Sequence, residues 1–278
     1  MLFADLHIHT CYSDGTMTPE EVIKAAQAAG VGLLAVSDHN VLGGSKELCR
    51  LLAAGGSGLR WTTGVELDTR WGDYPLHLLG YGCDLEHPAL NYAADRSAEI
   101  QEEANRQVIS RLNAPGVSLE DYDTFSYNRQ LGGWKALHYF VAKGLVKHLW
   151  EGFDIYKRYG TGPILFPLIR DYIDRIHAAG GMAVLAHPGE AISPSPEEAL
   201  PVIKQLVSLG LDGVECYYSR HSPELTEALL AFCRANGLLI TAGSDCHGDF
   251  CGSGGPVGAT RTPEEALALN GIRIYSSK

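Results

Sequence analysis

Short apolar, β-rich runs alternate with capped helical segments along most of this 278-residue chain, and that alternation leaves few architectures open. Strands are expected near Leu2–Leu6, Leu33–Ser37, Arg60–Leu67, Leu76–Tyr81, Ala183–Ala186, Gly213–Tyr217 and Leu238–Ala242. Helices fit Pro19–Ala29, Gly44–Ala54, Ile169–Ala179, Pro196–Leu209, Pro223–Asn236 and Pro263–Leu269. Thr18-Pro19-Glu20-Glu21 sets a capping hydroxyl before a first-turn proline and two acids. Ser222-Pro223-Glu224 and Thr262-Pro263-Glu264-Glu265 repeat the pattern, while Gly30, Gly180 and Gly237 stand where helices end. A parallel α/β sheet or barrel is the expected outcome.

Two stretches depart from the alternation. Glu66 and His77 are too close for a crossover helix, because parallel strands need a connection of roughly a dozen residues. The Asp68–Tyr74 stretch, with Trp71-Gly72-Asp73, therefore reads as a hairpin loop. From Glu86 to Gly162 no good strand is visible, and helical patterns cover Asp95–Leu112, Trp134–Lys143 and Lys147–Tyr159. The first of these stops before Asn113-Ala114-Pro115-Gly116. The expected fold is a distorted seven-stranded (β/α) TIM-like barrel built from residues 1–85 and 163–278, with 86–162 as a helical insertion that forms a partial lid.

Composition removes several functions. A net charge of −11 argues against broad adhesion to nucleic acid, although bound cations can reverse the local field. The seven cysteines, Cys11, Cys49, Cys83, Cys216, Cys233, Cys246 and Cys251, are scattered and contain no CxxC pair, which speaks against a zinc ribbon or a disulfide framework. No apolar run is long enough to span a bilayer, and Met1–Thr10 lacks the basic and apolar regions of a signal peptide, so a cytoplasmic location is expected. There is no GxxxxGKS or GxGxxG phosphate loop and no convincing Ser-His-Asp or Cys-His arrangement.

The chemistry lies in where the histidines and carboxylates fall. His7 and His9 are two apart in a strand and so face the same side, with Asp14 in the turn that follows. Asp38 and His39 close the second strand, Glu66 the third, His187 the fifth, and Asp245 and His247 the seventh. His77 opens the fourth, and a hairpin would return it to the rim of Glu66. Singly, each has a bland reading as a cap, a turn residue or a satisfied buried histidine. Jointly, six of eleven histidines fall where strands end or hairpins return. That is where α/β barrels place active sites, and mixed imidazoles and carboxylates suit zinc, manganese or iron. His87, His138, His148 and His177 lie away from strand ends and read as bystanders.

The segments DLHIHTCYSDG at 5–15, SDHN at 37–40, GVE at 64–66, HLLGY at 77–81, AHP at 186–188 and GSDCHG at 243–248 resemble, in order and spacing, the successive motifs of the polymerase and histidinol phosphatase (PHP) family. The likeness runs over about 1–85 and 165–278 and points to the stand-alone bacterial metal-dependent phosphoesterases, which include nucleotide phosphatases and 5′–3′ exonucleases. The resemblance implies three ion sites: His7, His9, Glu66 and Asp245; Glu66, His77 and His187; and Asp14, His39 and His247. It implies an orienting role for Asp38 and substrate-phosphate contacts from the segment ending in Arg220 and His221. Where relatives carry an Arg-Pro-His triplet in the insertion, this chain has Gly133-Trp134-Lys135, so Lys135 is left to supply positive charge without the arginine fork.

The expected activity is hydrolysis of a phosphomonoester or a terminal nucleotide phosphodiester through a metal-bound hydroxide. Two to three divalent ions (Mn, Fe or Zn) would serve a small phosphorylated substrate, a nucleotide or an oligonucleotide end. The alternatives are a C–N hydrolase using the same ions and a non-catalytic metal-binding module.

Overall fold

The computed structural model describes residues 2–72, 74–112, 117–160, 162–250 and 254–276. Asp73 of the expected hairpin loop, the expected turn at 113–116, and Cys251 lie outside the described residues. Among the described residues the strands are β1 (Phe3–Asp5), β2 (Val31–Leu34), β3 (Arg60–Trp61), β4 (Gly64–Trp71), β5 (Tyr74–Tyr81), β6 (Met182–Leu185), β7 (Gly213–Tyr218), β8 (Leu239–Gly243) and β9 (Tyr275–Ser276). The helices are α1 (Pro19–Ala29), α2 (Gly43–Ala53), α3 (Pro88–Arg111), α4 (Lys135–Ala142), α5 (Gly152–Tyr159), α6 (Ile169–Ala178), α7 (Pro188–Ala191), α8 (Pro196–Ser208) and α9 (Pro223–Asn236). Thr18 caps α1 in a full capping box with Glu21, and Gly30 and Gly237 close α1 and α9 in left-handed conformation.

The expected seven-stranded barrel is not what forms. The strands make two separate sheets, β1-β2-β3-β9 and β4-β5-β6-β7-β8, neither of them closed. The cause lies within the run expected as one strand, Arg60–Leu67. It breaks at Thr62-Thr63, and the chain changes sheet there: β3 pairs with β2, and β4 pairs with β5. On its other side β3 pairs antiparallel with β9, which occupies the edge a barrel would need for closure. β4 and β5 form an antiparallel ladder in register from Gly64↔Tyr81 to Trp71↔Tyr74, so most of the expected hairpin loop is strand. The expected helix Pro263–Leu269 is reduced to a 3-10 turn at Glu264–Ala266. Its flanks make antiparallel bridges instead, Pro263 to Phe3 and Ala268 to Ile240, so their backbone groups are spent on strand edges.

Residues of both sheets pack against each other through Leu6, Leu33, Ala35, Leu79, Tyr81 and Val184. The larger apolar cluster joins the five-stranded sheet to α3, α6, α8 and α9. Between 86 and 162 the described residues contain no strand. They pack their own cluster from Val108, Tyr122, Leu137, Tyr139, Phe140 and Ile155, and Phe250 enters it from the loop after β8. α3 belongs to both clusters: Leu90 and Ala93 sit in the large one, Val108 and Ile109 in the other.

What positions the site is the way the segments that follow β1, β2 and β8 meet one another and the first residues of β4. The Asp245 amide donates to the His7 carbonyl at 2.8 Å and the His9 amide to the Cys246 carbonyl at 2.9 Å, which ties the end of β1 to the end of β8. The Asn40 amide donates to the Glu66 carbonyl at 2.8 Å and the Glu66 amide to the Asp38 carbonyl at 3.1 Å, tying β2 to β4. Gly243 shows how tight this junction is. A methyl group there would run into the Glu215 carboxylate and the His7 side chain. Gly243→Ala is therefore expected to lower unfolding free energy by about 1–3 kcal/mol through overpacking. Urea denaturation checks this, and an unchanged midpoint would show that β8 can yield at this point.

Candidate metal centre

β4 delivers the central group. Glu66 is fully buried, and its two oxygens face five imidazoles. Oε2 lies 3.1 Å from His7 Nε2, 3.1 Å from His9 Nε2 and 3.3 Å from His39 Nε2. Oε1 lies 3.1 Å from His77 Nδ1 and 3.2 Å from His187 Nε2. Asp245 closes the first group, with Oδ1 3.5 Å from His7 Nε2 and 3.1 Å from His9 Nε2. Asp14 lies 3.4 Å from His247 Nε2 and 3.5 Å from His9 Nδ1. The rings of His9 and His247 stack at 3.9 Å.

The nine residues expected as ligands therefore converge, in groups whose donor atoms could each surround one ion: His7, His9, Glu66 and Asp245; Glu66, His77 and His187; and His9, Asp14, His39 and His247. A further grouping, His39, Asp68 and His77, was not expected. Asp68 was read as part of a loop. With β4 running on to Trp71, it stands two residues after Glu66 on the same face of the strand.

The donor atoms fit divalent ions on a physical test independent of any likeness. His7 Nε2, both ring nitrogens of His9, His187 Nδ1 and Glu66 Oε2 are buried without a hydrogen-bond partner. Leaving such groups unsatisfied costs about 1–3 kcal/mol each, more when charged, and so many in one place need a compensating ligand. The backbone carries strain at the same spots: His187 and Asp245 are held at φ 25° and 54°, left-handed conformations that non-glycine residues seldom adopt.

Neighbouring groups fix the cluster's orientation. Glu215 Oε1 lies 3.0 Å from His7 Nδ1, and its other oxygen accepts the His187 amide at 2.9 Å. Sequence reasoning missed this role, although Gly213-Val214-Glu215 repeats the Gly64-Val65-Glu66 pattern at a strand end. Asp38 accepts from the Thr10 amide, the Thr10 hydroxyl and the Ser13 hydroxyl at 2.7, 2.7 and 2.6 Å, and so pins the loop that presents Asp14. Asp5, also missed, accepts the Ser244 and Gly258 amides; burial pushes its pKa up to about 6 despite those bonds.

Three expected substrate contacts are placed differently from one another. Lys135 lines a cleft of about 500 Å³ that also takes in Asp14, His39, His77, Tyr127 and Arg129. Its Nζ donates to the Asp123 carbonyl at 3.1 Å and sits over the Tyr122 ring. Arg220 and His221 are not part of that cleft's wall. Arg220 pairs with Glu190 at 2.8 Å. His221 Nδ1 donates to the Cys216 carbonyl at 3.1 Å and its Nε2 accepts the Gly189 amide at 3.1 Å, which holds the turn after His187.

An α/β fold that gathers imidazoles and carboxylates at strand ends beside a cleft is that of a metal-dependent hydrolase. The chain belongs to the PHP domain family, which residues 5–209 match. It is 31% identical to a 3′,5′-nucleoside bisphosphate phosphatase of Chromobacterium violaceum, over 87% of this chain and 86% of that one. It is 28% identical to the 5′–3′ exoribonuclease Rnm of Escherichia coli, over 87% and 84%. Among solved structures it superposes with TM-score 0.70 on an amidohydrolase from Chromobacterium violaceum with bound sulfate and no metal. That match is 27% identical and covers 99% of this chain and 92% of that one. The protein is an enzyme, a hydrolase of phosphoric esters.

The site's electrostatics give a pH prediction. Burial opposes the charged form of His39, but Glu66 and Asp14 outweigh it and lift its pKa to about 9. His7 and His9 are likewise buried, yet surrounding carboxylates hold them well above the usual imidazole range. Without ions these imidazoles carry protons, and a cation must displace them. Affinity for an ion held through His39 should thus rise with pH up to about 9, with proton release measurable in weakly buffered calorimetry at pH 7. The ion-free fold should show the opposite trend. The stabilisation from protonated His39 is complete below its ordinary pKa of 6.5 and is lost as pH rises through about 9. Ion uptake without proton release would contradict this account.

Proposed function

We propose that the chain hydrolyses a phosphomonoester of a nucleotide or the terminal phosphodiester of an oligonucleotide, using two to three divalent ions of the Mn, Fe or Zn type. The observation that carries this reading is the junction of the cluster with the cleft. His39, His77 and Asp14 form one wall, while Lys135, Arg129 and Tyr127 belong to the segment between 86 and 162. A cleft of about 500 Å³ is within the range of small-molecule sites. The phosphatase and exoribonuclease relatives act on substrates of the kind their names state, and the same chemistry is proposed here.

His7, His9, Glu66 and Asp245 would hold one ion, Glu66, His77 and His187 a second, and Asp14, His39 and His247 a third. When bound, such ions polarise phosphoryl oxygens and lower the pKa of water. The chain's own residues do the rest. Asp38 keeps the Asp14 loop in place, Glu215 orients His7, and His221 steadies the turn that carries His187. Lys135 and Arg129 hold phosphate charge away from the reacting centre, and Arg220 lends positive field from the rim. Residues 86–162 act as an insertion that leans as a partial lid over the metallo-core of 1–85 and 163–278. The Gly133 amide donates to the Asp14 carbonyl at 2.7 Å, which seats this unit on the loop of one proposed ligand. Trp134 packs inside it, its Nε1 donating to the Tyr156 hydroxyl at 2.7 Å.

Among the described residues no helix is long and apolar enough to cross a membrane. Among the described residues six cysteines are free thiols, which suits a reducing compartment, and we place the enzyme in the cytoplasm.

Release of phosphate, mononucleotide and ammonia by ion-loaded protein, across nucleoside 3′,5′-bisphosphates, 5′-phosphorylated oligoribonucleotides and amide substrates, tests the reading. Phosphate from the first, mononucleotide or phosphate from the second, and no ammonia is expected; ammonia release alone would replace the reading with C–N hydrolysis. Glu66→Gln should lose two ions together and lower turnover by several orders of magnitude, read by elemental analysis and phosphate release. Lys135→Ala should raise KM several-fold for substrates with a second phosphate and leave a small synthetic phosphate ester unaffected. Equal effects on both would refute the lid role, in which Lys135 reaches a phosphate remote from the scissile one.

A further inference from the structure

His39 and His77 belong to different proposed ion sites, yet one carboxylate faces both. Asp68 Oδ1 lies 3.4 Å from His39 Nδ1 and 3.3 Å from His77 Nε2. In each ring the opposite nitrogen is the one turned toward Glu66, Nε2 of His39 at 3.3 Å and Nδ1 of His77 at 3.1 Å. A neutral imidazole has one lone pair and one N–H. If the nitrogen facing Glu66 gives its lone pair to an ion, the nitrogen facing Asp68 carries the hydrogen. His39 Nδ1 is buried and has no hydrogen-bond partner in normal range, and the Asp68 carboxylate is the acceptor that faces it.

Asp68 is itself held for this task. Its second oxygen accepts from the Asn40 side-chain amide at 2.6 Å, and its backbone amide donates to the Asn40 side-chain carbonyl at 3.0 Å. Asn40 keeps this two-way clamp from a left-handed backbone, φ 54°, directly after His39. Asp68 and His77 are cross-strand partners in the β4–β5 ladder, so the second contact is set by register. Neighbouring carboxylates in the cluster do not duplicate the arrangement: Glu215 serves His7, and Asp38 serves the Asp14 loop.

We propose that Asp68 is a positioning residue that accepts the outer N–H groups of His39 and His77 at once, fixing both tautomers and coupling two ion sites through one carboxylate. This rests on the ion centre proposed above. The alternative, Asp68 as a direct ligand of a further ion, would require both nitrogens of each imidazole to bind cations and each ring to lose its last proton. Outer carboxylates of this kind typically change ion affinity by about 10–100-fold.

The test uses full-length protein loaded with zinc, and long-range ¹H–¹⁵N imidazole spectra with manganese and zinc titrations. The wild-type spectra should show His39 protonated at Nδ1 and His77 at Nε2. The reverse tautomers, or rings without either proton, would overturn the proposal without any variant being made. Asp68→Asn should keep the full ion count at saturating manganese while two binding steps weaken by about 10–100-fold and a third stays within a few-fold of wild type. Loss of one ion outright at saturation, uniform weakening of every step, or unchanged affinities would each overturn it. Wild-type protein that takes up no ion would instead remove the centre itself, which separates that failure from failure of the role given to Asp68.

Discussion

Glu66 governs the rest of the molecule. A carboxylate with no exposure to water and five imidazoles within 3.3 Å is a costly thing to bury. Burial alone would drive its pKa up, but the surrounding histidines hold it well below the ordinary glutamate range. The carboxylate is therefore charged, and its environment is built for positive charge. Strand ends from both sheets converge on it through backbone bonds from Asp38 and Asn40 on one side, and from His7, Asp245 and Cys246 on the other. The fold's open, two-sheet form is compatible with this, because the sheets already pack on each other through Leu6, Leu33, Leu79 and Val184 and are bridged beside Glu66 by backbone bonds.

Much of the cluster was legible because strand ends are legible. A short apolar run ending in His, Asp or Glu needs only the two-residue period of a strand to show which side chains share a face. Helix starts were equally plain: Thr18 and Ser222 cap as their sequences imply. The closure of the sheet was not legible. Arg60–Leu67 reads as one strand by composition, and nothing local in Thr62-Thr63 announces that the chain leaves one sheet for another. That decision belongs to the pairing of β3 with the distant β9, a long-range contact. The Thr262-Pro263-Glu264-Glu265 cap signal failed for a similar reason, since edge pairing with Phe3 and Ile240 outbid local helix preference.

Asp68 and Glu215 show a narrower limit. Each lay in plain view, one two residues past Glu66 and the other in a repeat of its tripeptide. Asp68 was hidden by assigning the hairpin too long a loop, and a strand extended to Trp71 would have put it on the face of Glu66. Glu215 was hidden because ligands announce themselves by type, whereas groups that orient ligands are recognised only once distances are known. Lys135 and His221 mark the converse case. Residue type suggested contact with phosphate for both, but His221 has each ring nitrogen engaged by the main chain and only Lys135 reaches the cleft wall.

Phe250 completes the apolar cluster of the segment between 86 and 162, yet it sits three residues after His247 in the loop that follows β8. Gly132 and Gly133 pack so closely on it that a side chain at either position would collide with its ring. The segment cannot then be treated as a detachable cassette. Excising it would strip the cover from an aromatic ring on the His247 loop, and grafting in a foreign one would demand a matching socket for that ring. Divergence in this lineage is expected to proceed by changing the cleft-facing side chains of the segment, while the two-glycine seat and the ring it receives are inherited together.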